Sequence, residues 1–328
     1  MALDANATRC LLYAKTLGVS SARTAMLGRQ RLVSSADTLQ RTFTAFGYSL
    51  NKNEITEILS RGLGYAEPFL ERLGATKIKS FDASDWENAS DVSDFNLPIG
   101  EAFKNRFTAV IDGGTLEHIF NFPVAIANCM EMLEVGGHFV AITPANNFMG
   151  HGFYQFSPEL FFGLFTAANG FNIVQIILFE HRPQPEWFEV RDPEAVRERV
   201  TVVNTRPTLL LVVARKVASV RVLGTPPQQT GYLAVWKAAS TDAAPRVPSW
   251  ALLKASEPRV TPSSPASVFG DERRAPSIVR RLRQRLFRLA PAPLQRAYVR
   301  LRNPQYRHYP YDPRFFRRID IPPARRSE

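Results

Sequence analysis

The chain has 328 residues, a formal net charge of +11 and 45% hydrophobic residues, enough apolar material for a folded core, which excludes a fully disordered chain. No apolar run approaches the roughly 18 residues that a membrane-spanning helix needs, and the amino terminus lacks the pattern of a secretory signal. Cys10 and Cys129 lie far apart in sequence and are predicted to be buried thiols rather than a disulfide framework. We therefore expect a cytoplasmic location.

Short apolar runs alternate with helical patterns through the first two thirds of the chain. The predicted strands are Thr24–Leu27, Ile78–Phe81, Phe107–Ile111, Phe139–Ile142, Ile173–Phe179 and Leu209–Val213. The helical stretches between them include Ile55–Leu73, Phe122–Leu133 and Pro158–Ala168. Strands separated by helices predict a doubly wound, mostly parallel α/β sheet. Ligands bind such sheets at the carboxyl ends of the strands.

The charge divides the chain near residue 217. Residues 1–217 hold 20 Lys and Arg against 23 Asp and Glu, whereas residues 218–328 hold 21 against 7. The second segment also contains 15 of the 24 prolines. This shift predicts a folded domain over residues 1–217 and a basic, Pro/Arg-rich extension over residues 218–328.

A set of motifs in residues 107–216 carries a family resemblance. Residues 107–119 read FTAVIDGGTLEHI, residues 132–139 read MLEVGGHF, Gly170-Phe171 precedes a strand, and residues 209–216 read LLLVVARK. Together they resemble the second half of class I S-adenosylmethionine-dependent methyltransferases, over roughly residues 20–217. The resemblance implies a seven-strand Rossmann-like sheet, S-adenosylmethionine as the cofactor and methyl transfer as the activity.

The resemblance also implies where the methionine and ribose parts of the cofactor bind. Gly28 stands alone where the family has a Gly-x-Gly-x-Gly loop, and Arg29 or Gln30 is expected to bond the methionine carboxylate. Asp82 is expected to bond the ribose hydroxyls, with Asp85 as the alternative. About fifty residues separate Gly28 from Asp82, where about twenty is usual. A helical insertion over residues 34–74 is predicted to account for the gap.

Two further positions are assigned by the same resemblance. Asp94 is expected to accept from the adenine amino group, with Phe95 against the ring; the alternative is a loop aspartate that caps a turn. Asp112, Gly113 and Gly114 are expected to lie under the cofactor, where small residues leave room for the sulfonium. Gly113 and Gly114 have the alternative role of a tight turn.

Two histidines are the predicted catalytic bases. His118 follows Glu117 beyond the fourth strand, and His151 lies in a glycine-flanked loop after the fifth. Histidine suits the removal of a hydroxyl proton near neutral pH, although each histidine has the alternative role of a structural hydrogen-bonding residue. The loop is rich in polar and aromatic residues, which favours a saccharide or another small hydroxyl acceptor: Asn146, Asn147, Tyr154 and Gln155.

Other classes of function have less support in the sequence. No metal site is predicted, because no pair or cluster has metal-ligand spacing. A non-catalytic, methyltransferase-like binding module is the first alternative, motivated by the single glycine in the first loop. An NAD-binding oxidoreductase is the second, although the chain lacks Gly-x-Gly-x-x-Gly.

The extension contains a predicted amphipathic helix near residues 277–302. Its apolar residues lie at helical spacing, and five arginines surround them: Arg280, Arg281, Arg283, Arg285 and Arg288. This pattern favours docking to an anionic membrane surface, at the inner face of the membrane. The alternative is a helix packed on the domain with solvated arginines. A nucleic-acid partner is not expected, since no nucleic-acid-binding module accompanies the charge.

Overall fold

Strands and helices alternate along most of the chain, as the sequence predicts. The computed structural model describes residues 2–196, 200–224, 226–229 and 311–321. One unit comprises Met1–Val200, Thr205–Leu233 and Pro313–Glu328, and the second comprises Thr201–Asn204 and Ala234–Asp312. The predicted amphipathic helix near residues 277–302 lies outside the described residues. Among the residues described, no helix has both the length and the apolar character needed to cross a bilayer.

Eleven strands are described. They are β1 (Ala2–Leu3), β2 (Arg23–Leu27), β3 (Arg31–Leu32), β4 (Lys77–Asp82), β5 (Asp91–Val92), β6 (Phe107–Asp112), β7 (Leu133–Asn146), β8 (Phe171–Glu180), β9 (Trp187–Val190), β10 (Thr208–Lys216) and β11 (Phe316–Ile319). β1 and β3 form a short parallel pair. The other nine form one sheet in the order β11-β9-β8-β10-β7-β6-β2-β4-β5.

The direction of the strands confirms the predicted doubly wound sheet. β5, β4, β2, β6 and β7 are parallel to one another, whereas β10 runs antiparallel to both β7 and β8. The chain moves outward from β2 to β4 and β5, then returns to build β6 and β7 on the other side of β2. The carboxyl ends of β2 and β6 therefore flank the topological switch point, where doubly wound sheets bind ligands.

Seven helices complete the described part of the first unit. They are α1 (Ala5–Thr16), α2 (Ala36–Ala45), α3 (Lys52–Arg61), α4 (Glu67–Arg72), α5 (Phe122–Met132), α6 (Pro158–Leu164) and α7 (Pro193–Val196). α2, α3 and α4 occupy the predicted insertion between β2 and β4, so its helical character is confirmed. The single helix predicted over Ile55–Leu73 is wrong: it breaks after α3, where Leu63 takes a left-handed φ of 48° between two glycines.

The core lies on both faces of the central strands. Apolar side chains of β6, β7 and β10 are buried, including Val110, Val140 and Val212, as expected for strands covered on both sides. Both cysteines are free and buried, as predicted.

Two details of the sheet differ from the sequence prediction. The sheet has nine strands rather than seven, because β9 and β11 extend it beyond β8 by antiparallel pairing. The strand predicted over Phe139–Ile142 begins earlier, at Leu133, so Gly136-Gly137 lies inside β7, where the register against β6 shifts and Gly136 takes a φ of +91°. The pair therefore forms a bulge within one strand.

The edge strand β11 comes from the segment placed in the basic extension. Its Arg317 and Arg318 form ion pairs with Glu189 and Glu186 beside β9, the second at 2.9 Å. Residues 316–319 thus belong to the same sheet as the first domain. The boundary near residue 217 stays a prediction for the rest of the extension.

Candidate active site

Gly28 forms the turn at the carboxyl end of β2. Its φ is +63°, and a Cβ atom there would lie 2.9 Å from Thr115 Oγ1 and 3.8 Å from Asp82 Oδ2. The Gly28 amide donates to the carbonyl of Phe81 at 2.7 Å. Both the left-handed backbone and the close approach require glycine. The turn therefore brings the first loop against Asp82 at the end of β4 and Thr115 beyond β6.

Gln30 fills the crevice between β2 and β6. The side chain is fully buried, and its Nε2 donates to the carbonyl of Leu27 and, at 3.2 Å, to Thr115 Oγ1. Gln30 Oε1 has no hydrogen-bond partner in the described part of the chain. A Cβ atom on Gly113 would lie 2.8 Å from this oxygen and 2.8 Å from Leu3 Cδ2. The sequence predicts that Gly113 leaves room for a sulfonium, but Gln30 and Leu3 occupy that room.

Arg29 is engaged by the insertion instead. Its Nε donates to Glu67 Oε1 at 2.7 Å, its Nη1 donates to the carbonyl of Glu87 at 3.0 Å, and the guanidinium stacks 4.1 Å from the ring centre of Tyr65. These contacts hold Arg29 against α4 and its preceding loop. The predicted contact with a methionine carboxylate would have to compete with them.

Asp82 is the better placed of the two candidate ribose ligands. Its Oδ1 accepts from the Ser84 amide at 3.3 Å, and no hydrogen bond to Oδ2 occurs within the described residues. It is half-buried at the end of β4, beside the Gly28 turn, whereas Asp85 is exposed three residues further along the loop. Asp82 thus retains one carboxylate oxygen for a ligand.

Asp94 and Phe95 have local roles in the structure. Asp94 Oδ1 accepts from the backbone amide of Asn96 at 2.9 Å and from its side-chain amide at 2.8 Å, and these bonds lower the pKa of Asp94. Phe95 is buried, and its ring packs edge-on against Phe81 with 6.0 Å between ring centres. This geometry matches the alternative, a loop aspartate that caps a turn. The adenine contact stays a prediction.

Asp112 organises the loop that follows β6. Its buried Oδ1 accepts from the amides of Gly114, Thr115 and Leu116 at 3.2, 2.7 and 3.4 Å, whereas its Oδ2 has no hydrogen-bond partner within the described ranges. Burial raises the pKa of Asp112 to about 6, and the three amides oppose that rise. The carboxylate therefore fixes the backbone between β6 and the Leu-Glu-His turn.

His118 and His151 meet above Glu117. A short 3₁₀ turn over Leu116–His118 buries Glu117 and exposes His118. Glu117 Oε1 lies 3.6 Å from His151 Nε2 and 4.0 Å from His118 Nε2, and the two imidazole rings are 5.1 Å apart. The structure thus brings together the two histidines that the sequence names separately. Sequence reasoning missed Glu117 as their common partner, although it stands next to His118 in the motif.

The loop after β7 is held on Glu117 by its backbone. The carbonyl of Glu117 accepts from the Phe153 amide at 2.7 Å, and Gly152, at a φ of +75°, lies so close that a Cβ atom would be 2.7 Å from that carbonyl oxygen. The polar loop residues also serve the loop itself: Tyr154 Oη donates to the carbonyl of Phe120, and Gln155 Oε1 accepts from the Phe148 amide. The loop therefore has a defined geometry that fixes His151.

Burial sets the electrostatics of this group. Burial, with the charge of Asp112 added, raises the pKa of Glu117 to about 8. Burial and the neighbouring His151 lower the pKa of His118. Neutral imidazole is thus the favoured form of His118 near pH 7.

The same three side chains could also hold a metal ion. Glu117, His118 and His151 each offer one ligand atom, and these atoms lie within 4.8 Å of one another. Two histidines and a carboxylate are a common ligand set for zinc. The sequence predicts no metal site, and the chemistry of the group suits proton transfer equally well.

Exposed apolar side chains lie within two residues of each histidine in the sequence. Phe120 and Phe153 are 72% and 66% exposed and pack edge-on, with ring centres 5.8 Å apart, and Met149 is also exposed. An acceptor that reaches His118 or His151 therefore meets aromatic faces as well as polar groups.

Comparison with known proteins gives a weak likeness. No protein-family model matches the chain, and no curated protein matches its sequence. Solved structures similar to it include a candidate methyltransferase from Bacillus halodurans (11% identity, 64% of this chain and 99% of that one, TM-score 0.37). Another is a 1,6-didemethyltoxoflavin N1-methyltransferase from Burkholderia thailandensis with S-adenosylhomocysteine bound (13% identity, 65% and 78%, TM-score 0.34). A third is a SAM-dependent methyltransferase from Aquifex aeolicus (10% identity, 63% and 89%, TM-score 0.33).

The order of elements within this chain decides the fold. β6 ends at Asp112, the Leu-Glu-His turn and α5 follow, the Gly-Gly pair leads through β7, and β10 lies beside β7 in the sheet. The chain has the class I methyltransferase fold. Fold alone does not fix activity, so function is argued from the site.

Proposed function

We propose that the chain is an S-adenosylmethionine-dependent methyltransferase. The observation that carries this proposal is the histidine pair over Glu117, in the loops that follow β6 and β7, with β6 next to the strand that ends in the Gly28 turn. A proton-accepting group thus stands beside the switch point where this fold binds ligands. The Burkholderia thailandensis methyltransferase of similar fold has S-adenosylhomocysteine bound, which agrees with such a cofactor.

The described residues fit the cofactor at its ribose end. Asp82 has an oxygen without a hydrogen bond, next to a turn that only glycine can make, and a carboxylate accepts from two hydroxyls at once. At the methionine end, binding over Gly113 requires Gln30 and Leu3 to move. The buried, unpartnered oxygens of Gln30 and Asp112 are available there to the amino group of a ligand.

Titration calorimetry with S-adenosylhomocysteine tests the cofactor site. The wild-type chain should bind, and Asp82→Ala should weaken binding by about tenfold or more, because a charge-assisted bond is lost. Asp85→Ala, in the exposed part of the same loop, is the matched control and should bind like wild type. Absence of binding by the wild-type chain at millimolar ligand would contradict the proposal.

The chemistry asked of the protein is proton removal and alignment. When bound, the cofactor supplies an electrophilic methyl group. A hydroxyl acceptor then needs a base, and His118 or His151 would take the proton on Nε2. Glu117, 3.6 to 4.0 Å away, would stabilise the imidazolium that forms when it is ionised, which its raised pKa of about 8 restricts to the alkaline side of neutrality. The carboxylate is buried, so this attraction is less screened than at the surface.

A saccharide or a similar small hydroxyl compound is the proposed acceptor. The support is the combination of two bases with the exposed rings of Phe120 and Phe153, on which the apolar face of a sugar can pack. Methyl-tritium transfer to fractions of a cell extract would identify the acceptor. His118→Ala or His151→Ala should then lower turnover by about 10²–10⁴ at unchanged cofactor affinity. His308→Ala is the control. Full activity in both His118→Ala and His151→Ala would exclude a histidine base.

A non-catalytic binding module is the second candidate function. The observation that favours it is the crevice between β2 and β6, which Gln30 and Leu3 fill. On this alternative the wild-type chain does not bind S-adenosylhomocysteine, whereas Gln30→Ala, which empties part of the crevice, does. Equal binding by both chains would exclude it.

We further propose that the basic extension docks on an anionic membrane surface. Each arginine near such a surface contributes on the order of 1 kcal/mol, so the five arginines of residues 277–290 suffice for reversible docking. Truncation after residue 217 would remove β11, so the better variant changes those five arginines to Gln. Co-sedimentation with vesicles containing phosphatidylserine should fall in this variant and in high salt. Equal sedimentation of both chains would contradict the proposal.

A further inference from the structure

A second cavity lies at the carboxyl end of β8. It has a volume of about 980 Å³ and is lined by the starts of α1 and α2, by residues 181–187 and by residues 318–321. All of these segments belong to the first unit. A volume of this size accommodates a small organic molecule.

Arg9 in α1 is a buried cation in the wall of this cavity. The residue is only 9% exposed, and its Nε has no hydrogen-bond partner among the residues that the structure describes. Its guanidinium lies 5.7 Å from the ring centre of Trp187, whose own Nε1 is also buried without a partner. Within the described residues no carboxylate forms an ion pair with Arg9, and burial lowers its pKa. A buried guanidinium without an anion is unfavourable.

Two acidic groups of the same wall, Asp4 and Glu186, are paired with other cations. Asp4 Oδ2 lies 2.7 Å from His181 Nε2. Glu186 pairs with Arg318 at 2.9 Å and with Arg182 at 3.5 Å. Asp320 is exposed at the rim. Among the described residues, the wall thus leaves the charge of Arg9 without an ion-pair partner.

The cavity lies next to the candidate active site. His181, in the cavity wall, packs 6.5 Å from the ring of Phe148, and Phe148 packs 5.6 Å from the ring of His151. The ring of Phe148 therefore connects the cavity wall with the histidine pair.

From these contacts we infer that the cavity binds the carboxylate or phosphate group of an anionic small molecule, with Arg9 as its counter-ion. The planar guanidinium suits both groups, because it donates two parallel hydrogen bonds to either. Identifying this molecule as the methyl acceptor rests on the proposed function; the binding site itself does not.

Calorimetry with phenyl phosphate, benzoate and inorganic phosphate tests the site. At least one probe should bind the wild-type chain, and Arg9→Gln should weaken its binding by about tenfold or more. Preference for phenyl phosphate over inorganic phosphate would assign an organic phosphate, and preference for benzoate a carboxylate. Arg41→Gln is the matched control, because Arg41 lines the same cavity but is already paired with Asp37 at 2.9 Å.

The outcomes separate this inference from the proposed function. No binding of any probe by the wild-type chain, or equal binding by Arg9→Gln in a chain whose thermal unfolding is unchanged, would overturn the inference. If Arg9→Gln does not fold, Arg9→Lys, which keeps the charge but not the fork, should bind more weakly than wild type. Equal binding by Arg9→Lys would overturn it as well. S-adenosylhomocysteine binding, measured on the same chains, should not change between wild type and the Arg9 variants. Absence of this binding in the wild-type chain would contradict the proposed function and leave the inference about the cavity standing.

Discussion

Gly152→Ala tests how the loop after β7 positions His151. Gly152 has a φ of +75°, and a Cβ atom there would lie 2.7 Å from the carbonyl oxygen and 3.1 Å from the carbonyl carbon of Glu117. Ordinary contact begins near 3.4 Å, and backbone atoms cannot turn away as the end of a side chain can. The loop must therefore shift, and the neighbouring His151 shifts with it.

Gly150 provides the matched control for this substitution. It has a φ of +84° in the same loop, and a Cβ atom there would meet nothing within 4 Å. Alanine at either position costs about 1–2 kcal/mol for the left-handed backbone. Gly152→Ala also weakens the 2.7 Å hydrogen bond from the Phe153 amide to Glu117, worth about 0.5–1.5 kcal/mol, and adds the steric contact. We expect a loss of about 1–2 kcal/mol for Gly150→Ala and about 2–4 kcal/mol for Gly152→Ala.

Urea unfolding of the two variants measures the difference, and calorimetry with S-adenosylhomocysteine follows the cofactor site. Cofactor affinity should change in neither variant, because the substitutions lie on the acceptor side of the site. Methyl transfer should fall strongly only in Gly152→Ala. Equal stability of the two alanine variants would refute the argument that contact with Glu117 fixes the loop.

Three further predictions follow from single contacts. Lys216 is buried and donates from Nζ to Asn105 Oδ1 and to the carbonyls of Met130 and Leu133. Lys216→Met should therefore lower the free energy of unfolding, measured in urea, by about 2–3 kcal/mol. A loss under about 0.5 kcal/mol would contradict this. The hydrogen bond to Asp4 raises the pKa of His181, and although burial alone would raise the pKa of Asp4, the bonds that it accepts lower it. Asp4→Asn keeps the helix cap but loses the charge, so the wild-type chain should be more stable than this variant by less than about 1 kcal/mol. This stability advantage is full below the unfolded histidine pKa of about 6.5 and fades as the pH rises through the raised pKa of His181. It also fades as the pH falls through the lowered pKa of Asp4. Dialysis against a chelator should leave methyl transfer unchanged if the histidine pair acts as a base, whereas a loss restored by zinc would assign a metal to that pair.

Part of the fold could be predicted from local motifs in the sequence. β6, the Leu-Glu-His turn and α5 lie next to one another in the chain, so their pattern survives in a single stretch of sequence. α1 was missed because its buried positions include polar residues such as Asn6, Thr8 and Arg9, which hide its amphipathic pattern. The break between α3 and α4 depends on the left-handed backbone of Leu63, which residue type alone does not predict.

The sequence predicts the residues of the candidate site separately but does not predict how they come together. The sequence around His118 and His151 identifies each of them as a candidate base. Their approach to one another over Glu117, however, depends on a backbone contact at Gly152, 35 residues beyond Glu117. Gln30 follows a strand-end glycine and has the character of an exposed loop residue, yet it is fully buried. Burial of that amide depends on Leu3 and Thr115, which approach it from two distant parts of the chain.

The energetics of Gln30 bear on the choice between an enzyme and a binding module. Its Nε2 makes two hydrogen bonds, each worth about 0.5–1.5 kcal/mol, whereas its buried Oε1 lacks a partner, which costs about 1–3 kcal/mol. These terms nearly cancel, so the polar contacts hold the side chain in the crevice only weakly. A ligand that supplies hydrogen-bond donors to the Leu27 carbonyl and to Thr115 Oγ1 could displace it at little cost. The filled crevice is therefore compatible with cofactor binding, and the affinity of Gln30→Ala for S-adenosylhomocysteine relative to wild type measures what the displacement costs.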